Sequence, residues 1–315
     1  MKKTLVAIAA LAVVGAASAQ STVNLTGKLA YGYEAAKTAA GVKTNGLRVT
    51  DGDFVLTAVE DLGGGLKAQA SMAVLSRGRG TAISGRDASV SLMGGFGTVI
   101  IGSVESGNGI LPYGGAGAPV IGLDGNVVLS GGVNVDLLGY STPSMGGFTG
   151  ILQMSDSINA AVGTFNGGME SAAITTDAVL VGANYSNGPI NARIDYTSFG
   201  ANTAPAASPD NRFRISGNYN LGVAVIGAGY QTQETIAGVE SKDLLLGVSV
   251  PFGPVTLGAV YARRKTDGLA ANTGFDLGVE YALSRRTNIR TMYQSIDSNA
   301  ANKATTFRVR LLHSF

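Results

Sequence analysis

The sequence predicts an all-β fold: a sixteen-stranded antiparallel transmembrane β-barrel with short periplasmic turns at one end and long extracellular loops at the other. Three observations carry that prediction. Apolar and polar residues alternate with period two through most of the chain, glycine-rich turns punctuate the alternation at near-regular intervals, and no run of eighteen apolar residues follows the first nineteen positions, so no transmembrane helix is available. Composition agrees. The 315 residues include 46 glycines, about 15 %, twice the usual share, and only 14 % are charged, close to half the usual share. Disorder is excluded, because disordered chains are charged and poor in aliphatics.

The first nineteen residues form a unit of their own. Lys2 and Lys3 begin a basic start, Leu5 to Ala17 is an unbroken run of small and aliphatic residues, and Ala17-Ser18-Ala19 is a small-x-small cleavage site, the pattern of a secretory signal peptide. As a helix the apolar run spans about 20 Å, short of a hydrocarbon core of about 30 Å, which argues against a permanent anchor. The expected division is therefore residues 1–19 as signal peptide and 20–315 as barrel. Removing Lys2 and Lys3 brings the 23 basic residues down to 21, equal to the 21 acidic ones, so the mature chain is formally neutral. No nucleic-acid partner is expected from a chain without basic excess.

The strands read in order. In Thr22 to Glu34, Val23, Leu25, Leu29, Tyr31 and Tyr33 oppose Asn24, Thr26, Lys28 and Ala30. Ile190 to Phe199 sets Ile190, Ala192, Ile194 and Tyr196 against Asn191, Arg193, Asp195 and Thr197, and similar parity recurs in Asn211 to Asn220 and Thr273 to Leu283. The last strand is clearest, with Phe307, Val309, Leu311, His313 and Phe315 on one face and Thr306, Arg308, Arg310, Leu312 and Ser314 on the other. Seven short turns fall at residues 61–64, 94–97, 144–147, 186–189, 220–222, 251–254 and 284–286. Eight longer polar stretches lie at 35–45, 77–84, 105–132, 157–175, 200–210, 235–240, 266–272 and 297–304. Their alternation gives an even strand number with all turns on one membrane side. A strand of about ten residues tilted about 45° rises about 24 Å, the height of an outer-membrane apolar band. Tyr33, Tyr185, Tyr196, Phe213, Phe252, Tyr261, Phe275, Tyr281 and Phe315 sit toward strand ends, as interfacial girdles would. A soluble sandwich or propeller is the competing all-β reading. It is disfavoured because so many amphipathic strands sharing one dry core would divide into domains, and no linker breaks the chain.

Three segments carry a resemblance to a known family. Glu60 to Ala68 (EDLGGGLKA), Gly94 to Thr98 (GGFGT) and Tyr140 to Phe148 (YSTPSMGGF), together with the aromatic-terminated Leu311 to Phe315, resemble the general porins of Gram-negative bacteria, closest to the beta-proteobacterial branch. The resemblance spans the mature chain and implies a homotrimer of water-filled barrels in the outer membrane. It implies the lipid bilayer and lipopolysaccharide as surroundings, passage of small hydrophilic solutes and ions, and no cofactor. Phe315 is implied as the assembly signal read by the barrel assembly machinery. The resemblance further implies that the long third loop, here Glu105 to Gly132, folds into the barrel at half height and offers acids, here Glu105 and Asp124, toward a basic wall. Leu111, Pro112, Tyr113, Pro119, Val120, Ile121, Val127, Val128 and Leu129 make that loop apolar enough to pack inside. The chain also departs from the pattern. Asp53 and Gly139 stand where the family places arginines, only Lys28 and Arg86 match its basic wall, and the usual transverse field is weakened on both sides.

Parity nominates the pore wall independently. Lys28, Arg214, Arg290, Arg308 and Arg310 have lumen parity near mid-strand, and Arg193, Arg212 and Arg264 extend the set toward the loop end. Acidic lumen candidates are Asp51, Asp53, Asp195, Asp276 and Glu280. Two readings stay open. The cations form a ring that attracts anions and gives a mild anion preference, or each pairs with a carboxylate such as Asp276 or Glu280 and only solvates the wall.

Other chemistries are set aside. The absence of Cys removes thiolate nucleophiles and thiolate metal sites, and one His, His313 on the lipid-facing parity, argues against a triad or a multi-imidazole zinc site. No complete phosphate-loop motif occurs, so the glycines are read as turns and small outward residues. Asp51 and Asp53 fall short of the six to eight oxygens calcium takes. Two function classes remain: a passive diffusion channel, and a barrel serving as adhesin or structural anchor with an incidental lumen.

Overall fold

A computed structural model describes residues 21–78, 83–106, 108–123, 128–129, 133–156, 178–200 and 206–315. The predicted signal peptide, residues 1–19, therefore lies outside the described residues. Sixteen strands run in chain order: β1 (Thr22–Lys37), β2 (Lys43–Gly63), β3 (Leu66–Leu75), β4 (Ser84–Gly94), β5 (Gly97–Ser106), β6 (Val133–Ser141), β7 (Phe148–Asp156), β8 (Ala178–Asn187), β9 (Ile190–Phe199), β10 (Pro209–Asn220), β11 (Val225–Thr235), β12 (Glu240–Phe252), β13 (Val255–Thr266), β14 (Asn272–Ala282), β15 (Thr287–Asp297) and β16 (Ala304–Ser314). Among the described residues one short helix, α1 (Leu111–Gly114), interrupts the third long loop.

Each strand pairs antiparallel with its chain neighbours, and β1 pairs with β16 to close the barrel. At the seam Lys28 faces Ser314, Gly32 faces Arg310 and Glu34 faces Arg308. The amides of Gly27 and Phe315 each donate to the other's carbonyl at 3.0 Å. Closure is what a membrane demands, since a free edge in hydrocarbon leaves backbone donors and acceptors unsatisfied. The predicted parity sets the faces. Leu25, Leu29, Tyr31, Leu246, Leu257, Phe275, Leu277, Phe307 and Leu311 are exposed on the outside, while Ala30, Leu245, Val260, Asp276, Gln294 and Arg310 are buried inside.

All seven short turns fall at or beside their predicted positions, six of them containing glycine and the seventh being Ser284-Arg285-Arg286. Three of the eight predicted long loops are short instead, with 38–42, 236–239 and 267–271 closing hairpins of four or five residues. There the alternation runs on past the membrane band and the ribbon continues, β1 reaching 16 and β2 21 residues. Gly41 and Gly238, at φ 87° and 76°, take the left-handed positions that such tight closures need.

Residues 108–123 and 128–129 of the third long loop fold inward. Ile110, Leu123, Val128 and Leu129 bury completely against Leu245, Val260 and Ala262 on the inner faces of β12 and β13. Glycine makes this possible. A Cβ on Gly229 would lie 2.7 Å from the Ile110 Cβ, one on Gly247 2.5 Å from the Gly114 carbonyl oxygen, and one on Gly258 2.5 Å from Pro119 Cδ. Gly227, Gly274 and Gly278 carry the same restriction toward Tyr113, Leu123 and Pro119. These six glycines alternate inward on β11 to β14 and form a flat bed for the loop. The expectation that non-turn glycines point outward is corrected here: close backbone approach, which any side chain would block, sets them inside.

Candidate functional site

The loop packs against β11 to β14 and reaches Gln294 on β15, so the wall beyond it is formed by β16 and β1 to β5 together with the ends of β14 and β15 nearest their shared turn. Charges on this wall are arranged in rows. Lys28 lies 3.1 Å from Asp51 and 3.5 Å from Asp53, and Arg310 is hydrogen-bonded to the same Asp51. Arg86 then joins Asp53 at 3.2 Å to Glu105 at 2.6 Å. The result is one continuous chain of alternating sign, Arg310, Asp51, Lys28, Asp53, Arg86, Glu105, crossing the barrel seam. Above it Glu34 takes Arg308 at 2.6 Å and Arg48 at 2.8 Å, and to one side Arg290 bonds Glu280.

Local backbone explains the reach. Arg310 lies on β16 and Asp51 on β2, with β1 between them, and the intervening inward residue is Gly32, whose Cβ would sit 2.7 Å from the Arg310 Cα. A register shift between Ala30 and Tyr31 marks a bulge at Thr50 in β2. The extra residue switches parity, so Arg48 and Asp51, an odd number apart, both turn inward. Thr50 joins the same group, accepting from Arg310 Nη1 at 3.3 Å.

Two predicted open-wall groups are placed elsewhere. Arg214 points inward but is only 4 % exposed, bonded to Asp195 at 2.7 Å and covered by Gly109 of the loop. Asp276, 0 % exposed, forms no ion pair with an arginine among the described residues: its Oδ2 accepts the amides of Ile121 and Gly122 at 2.8 Å each. Gln294 on β15 completes the clasp, donating to the Gly122 carbonyl. Both departures have one cause, the loop lying over their side of the barrel. Tyr113 sits in α1, its carbonyl accepting from Asn218 Nδ2 at 3.4 Å. Asp124 lies outside the described residues. Arg193 shares Asp195 at 2.8 Å and Arg264 pairs with Asp243 at 2.8 Å. Phe315 lies on the outer face at the closing seam, its ring over Gly27. Sequence reasoning missed Glu34, Arg48 and Asp243. Parity alone nominates Glu34, which shares a face with Lys28, whereas the bulge hides Arg48.

A closed, sixteen-stranded barrel with a loop folded onto its inner wall is the geometry of a diffusion channel, and the family model for Gram-negative porins matches residues 4–301. The chain belongs to the Gram-negative porin family. Outer membrane porin protein 32 of Delftia acidovorans is 31 % identical over 327 residues, covering 91 % of this chain and 87 % of that one. The fold superposes on an anion-selective porin from Comamonas acidovorans with TM-score 0.72 at 23 % identity, covering 94 % of this chain and all of that one. The trimer form of OmpT from Vibrio cholerae gives TM-score 0.70 at 13 % identity, with 94 % and 99 % covered. This porin is an outer-membrane channel of the bacterial envelope, and its family implies transport rather than catalysis.

Proposed function

We propose that this porin passes small hydrophilic solutes and ions through a constriction between the docked loop and the ion-paired wall, with a mild anion preference. The carrying observation is the charge balance of that wall. Lys28, Arg48, Arg86, Arg290, Arg308 and Arg310 face Glu34, Asp51, Asp53, Glu105 and Glu280, an excess of one positive charge among the described residues. Because nearly every cation is paired, the wall offers a weak net field and many polar contacts. The more exposed of these pairs, such as Lys28–Asp51 and Arg48–Glu34, contribute about 0–1 kcal/mol each to stability, so their effect is on the passing solute. The anion selectivity of the Comamonas protein supports the sign. Reversal potentials across a planar bilayer under a potassium chloride gradient test it: an anion-to-cation permeability ratio above one is expected, and a cation-selective channel overturns the proposal. An adhesin or anchor with an incidental lumen is not favoured for a porin.

We further propose a homotrimer. On the outer face of β2 to β5, Leu56, Ala58, Ala70, Met72, Ala88 and Val90 line a depression of about 470 Å³. Ser103 at its margin bonds Asp136, a carboxylate beside the exposed apolar residues Leu56, Met72 and Val90, and a neighbouring protein surface suits such a group better than lipid. The trimeric OmpT of like fold supports the assembly. Export by a signal peptide at residues 1–19, insertion through Phe315 by the barrel assembly machinery, and contact with lipopolysaccharide complete the proposal. Unboiled samples should migrate as a heat-dissociable oligomer, and purely monomeric migration refutes the trimer.

A further inference from the structure

We propose that the lumen holds a second anion site, apart from the open wall, which binds a small organic carboxylate with an apolar body. A cavity of about 280 Å³ lies between the inner faces of β5 to β10 and the start of the loop at Asn108, Gly109 and Pro112. At about 30 Å³ per water it has room for about nine waters or one small organic anion.

Its charges do not balance. Arg193, Arg212 and Arg214 all line the cavity, and no acid lines it among the described residues. Asp195 pairs with two of the three, its Oδ2 accepting from Arg193 at 2.8 Å and its Oδ1 from Arg214 at 2.7 Å. Arg212 is left with the Phe199 ring, 5.4 Å from its guanidinium carbon, and its Nε is buried with no hydrogen-bond partner. Directly opposite Arg212 on the paired strand is Thr197, whose buried hydroxyl also has no partner. Two adjacent donors in a site whose described residues carry a net charge of +2 call for an anionic acceptor, since buried polar groups are rarely left unmatched and charge-assisted bonds are the stronger kind. A carboxylate offers one oxygen to each.

The rest of the cavity selects the body of the ligand. Val135, Ala178 and Phe199 form a dry cluster, with Val104 and Leu137 packed against it. An inorganic anion would meet this surface with its own hydration unreplaced, whereas an aryl or branched alkyl group gains from burying it. Phe199 ends β9 and Arg212 lies near the start of β10, so the site is at the long-loop end, where an entering solute meets it before the constriction.

Calorimetry of the full-length mature protein, folded in detergent, tests the site with sodium benzoate as probe and sodium acetate and sodium sulfate for comparison. Benzoate is expected to bind at least tenfold more tightly than either. Arg212→Gln should weaken benzoate about tenfold or more and Thr197→Val severalfold. Lys265→Gln, the same charge change on the outward parity of β13, should leave it unaltered. Heat-modifiable migration verifies that each variant is folded. No benzoate heat, equal affinity for acetate, tighter sulfate, or an unshifted Arg212→Gln each overturns the proposal. The readout is binding and not current, so its failure leaves the channel reading standing, and a barrel that conducts no ions leaves the binding result intact.

Discussion

Replacing Asp276 by alanine isolates what holds the loop in the lumen. The carboxylate is fully buried and accepts two backbone amides, those of Ile121 and Gly122, while Gln294 holds the Gly122 carbonyl from the next strand. Alanine leaves both amides facing the wall without an acceptor. At about 1–3 kcal/mol for each buried donor left unmatched, the loss is about 2–6 kcal/mol, partly relieved by water entering from the lumen. The apolar contacts of Ile110, Leu123 and Leu129 remain, so the segment around Ile121 and Gly122 should open locally while the rest of the loop stays docked. A central value of about 3 kcal/mol corresponds to about a hundredfold faster opening by the tenfold-per-1.4 kcal/mol rule. Hydrogen exchange in detergent, followed on a peptide containing Ile121 and Gly122, reads this directly, and single-channel recordings should show added current noise. Asp276→Asn keeps an acceptor oxygen and should lose far less protection. Unchanged exchange at both amides in Asp276→Ala would refute the argument that this carboxylate anchors the loop.

The remaining predictions use the wall, the loop bed and the buried pair. Asp53→Asn removes the carboxylate between Lys28 and Arg86. An unscreened charge acts on an ion about 4 Å away with about 1 kcal/mol in water, so the anion-to-cation permeability ratio should rise up to about fivefold in reversal-potential measurements. Gly229→Leu places a side chain where the Ile110 Cβ already sits at 2.7 Å, so the loop should lift from β11, with single-channel conductance altered in a barrel that still resists dissociation when unboiled. Arg214→Gln leaves Asp195, 2 % exposed, with Arg193 as its one ion-pair partner, and should cost about 3–5 kcal/mol in denaturant unfolding from detergent. Phe315→Ser should lower the amount of heat-modifiable barrel recovered from outer membranes without changing total synthesis.

Period-two alternation determined the faces of this barrel, and glycine clusters determined its turns, because both are local properties of backbone and side-chain chemistry. Lys28, Asp53, Arg290 and Glu280 were legible as inward groups for that reason. What pairs with what was not legible. Arg310 reaches Asp51 over Gly32, and Arg48 turns inward through a bulge, arrangements that depend on closure of the first strand against the last and on a one-residue register shift. The fates of Arg214 and Asp276 were likewise undetermined by parity, which tells inside from outside but not which inner surface a loop will cover. That choice was made by six inward glycines spread over four strands from Gly227 to Gly278, whose common purpose appears only once the sheet has curled and brought them under one loop. Short-range patterning therefore specified a channel and its polarity, while long-range packing decided which of its charges meet the solute.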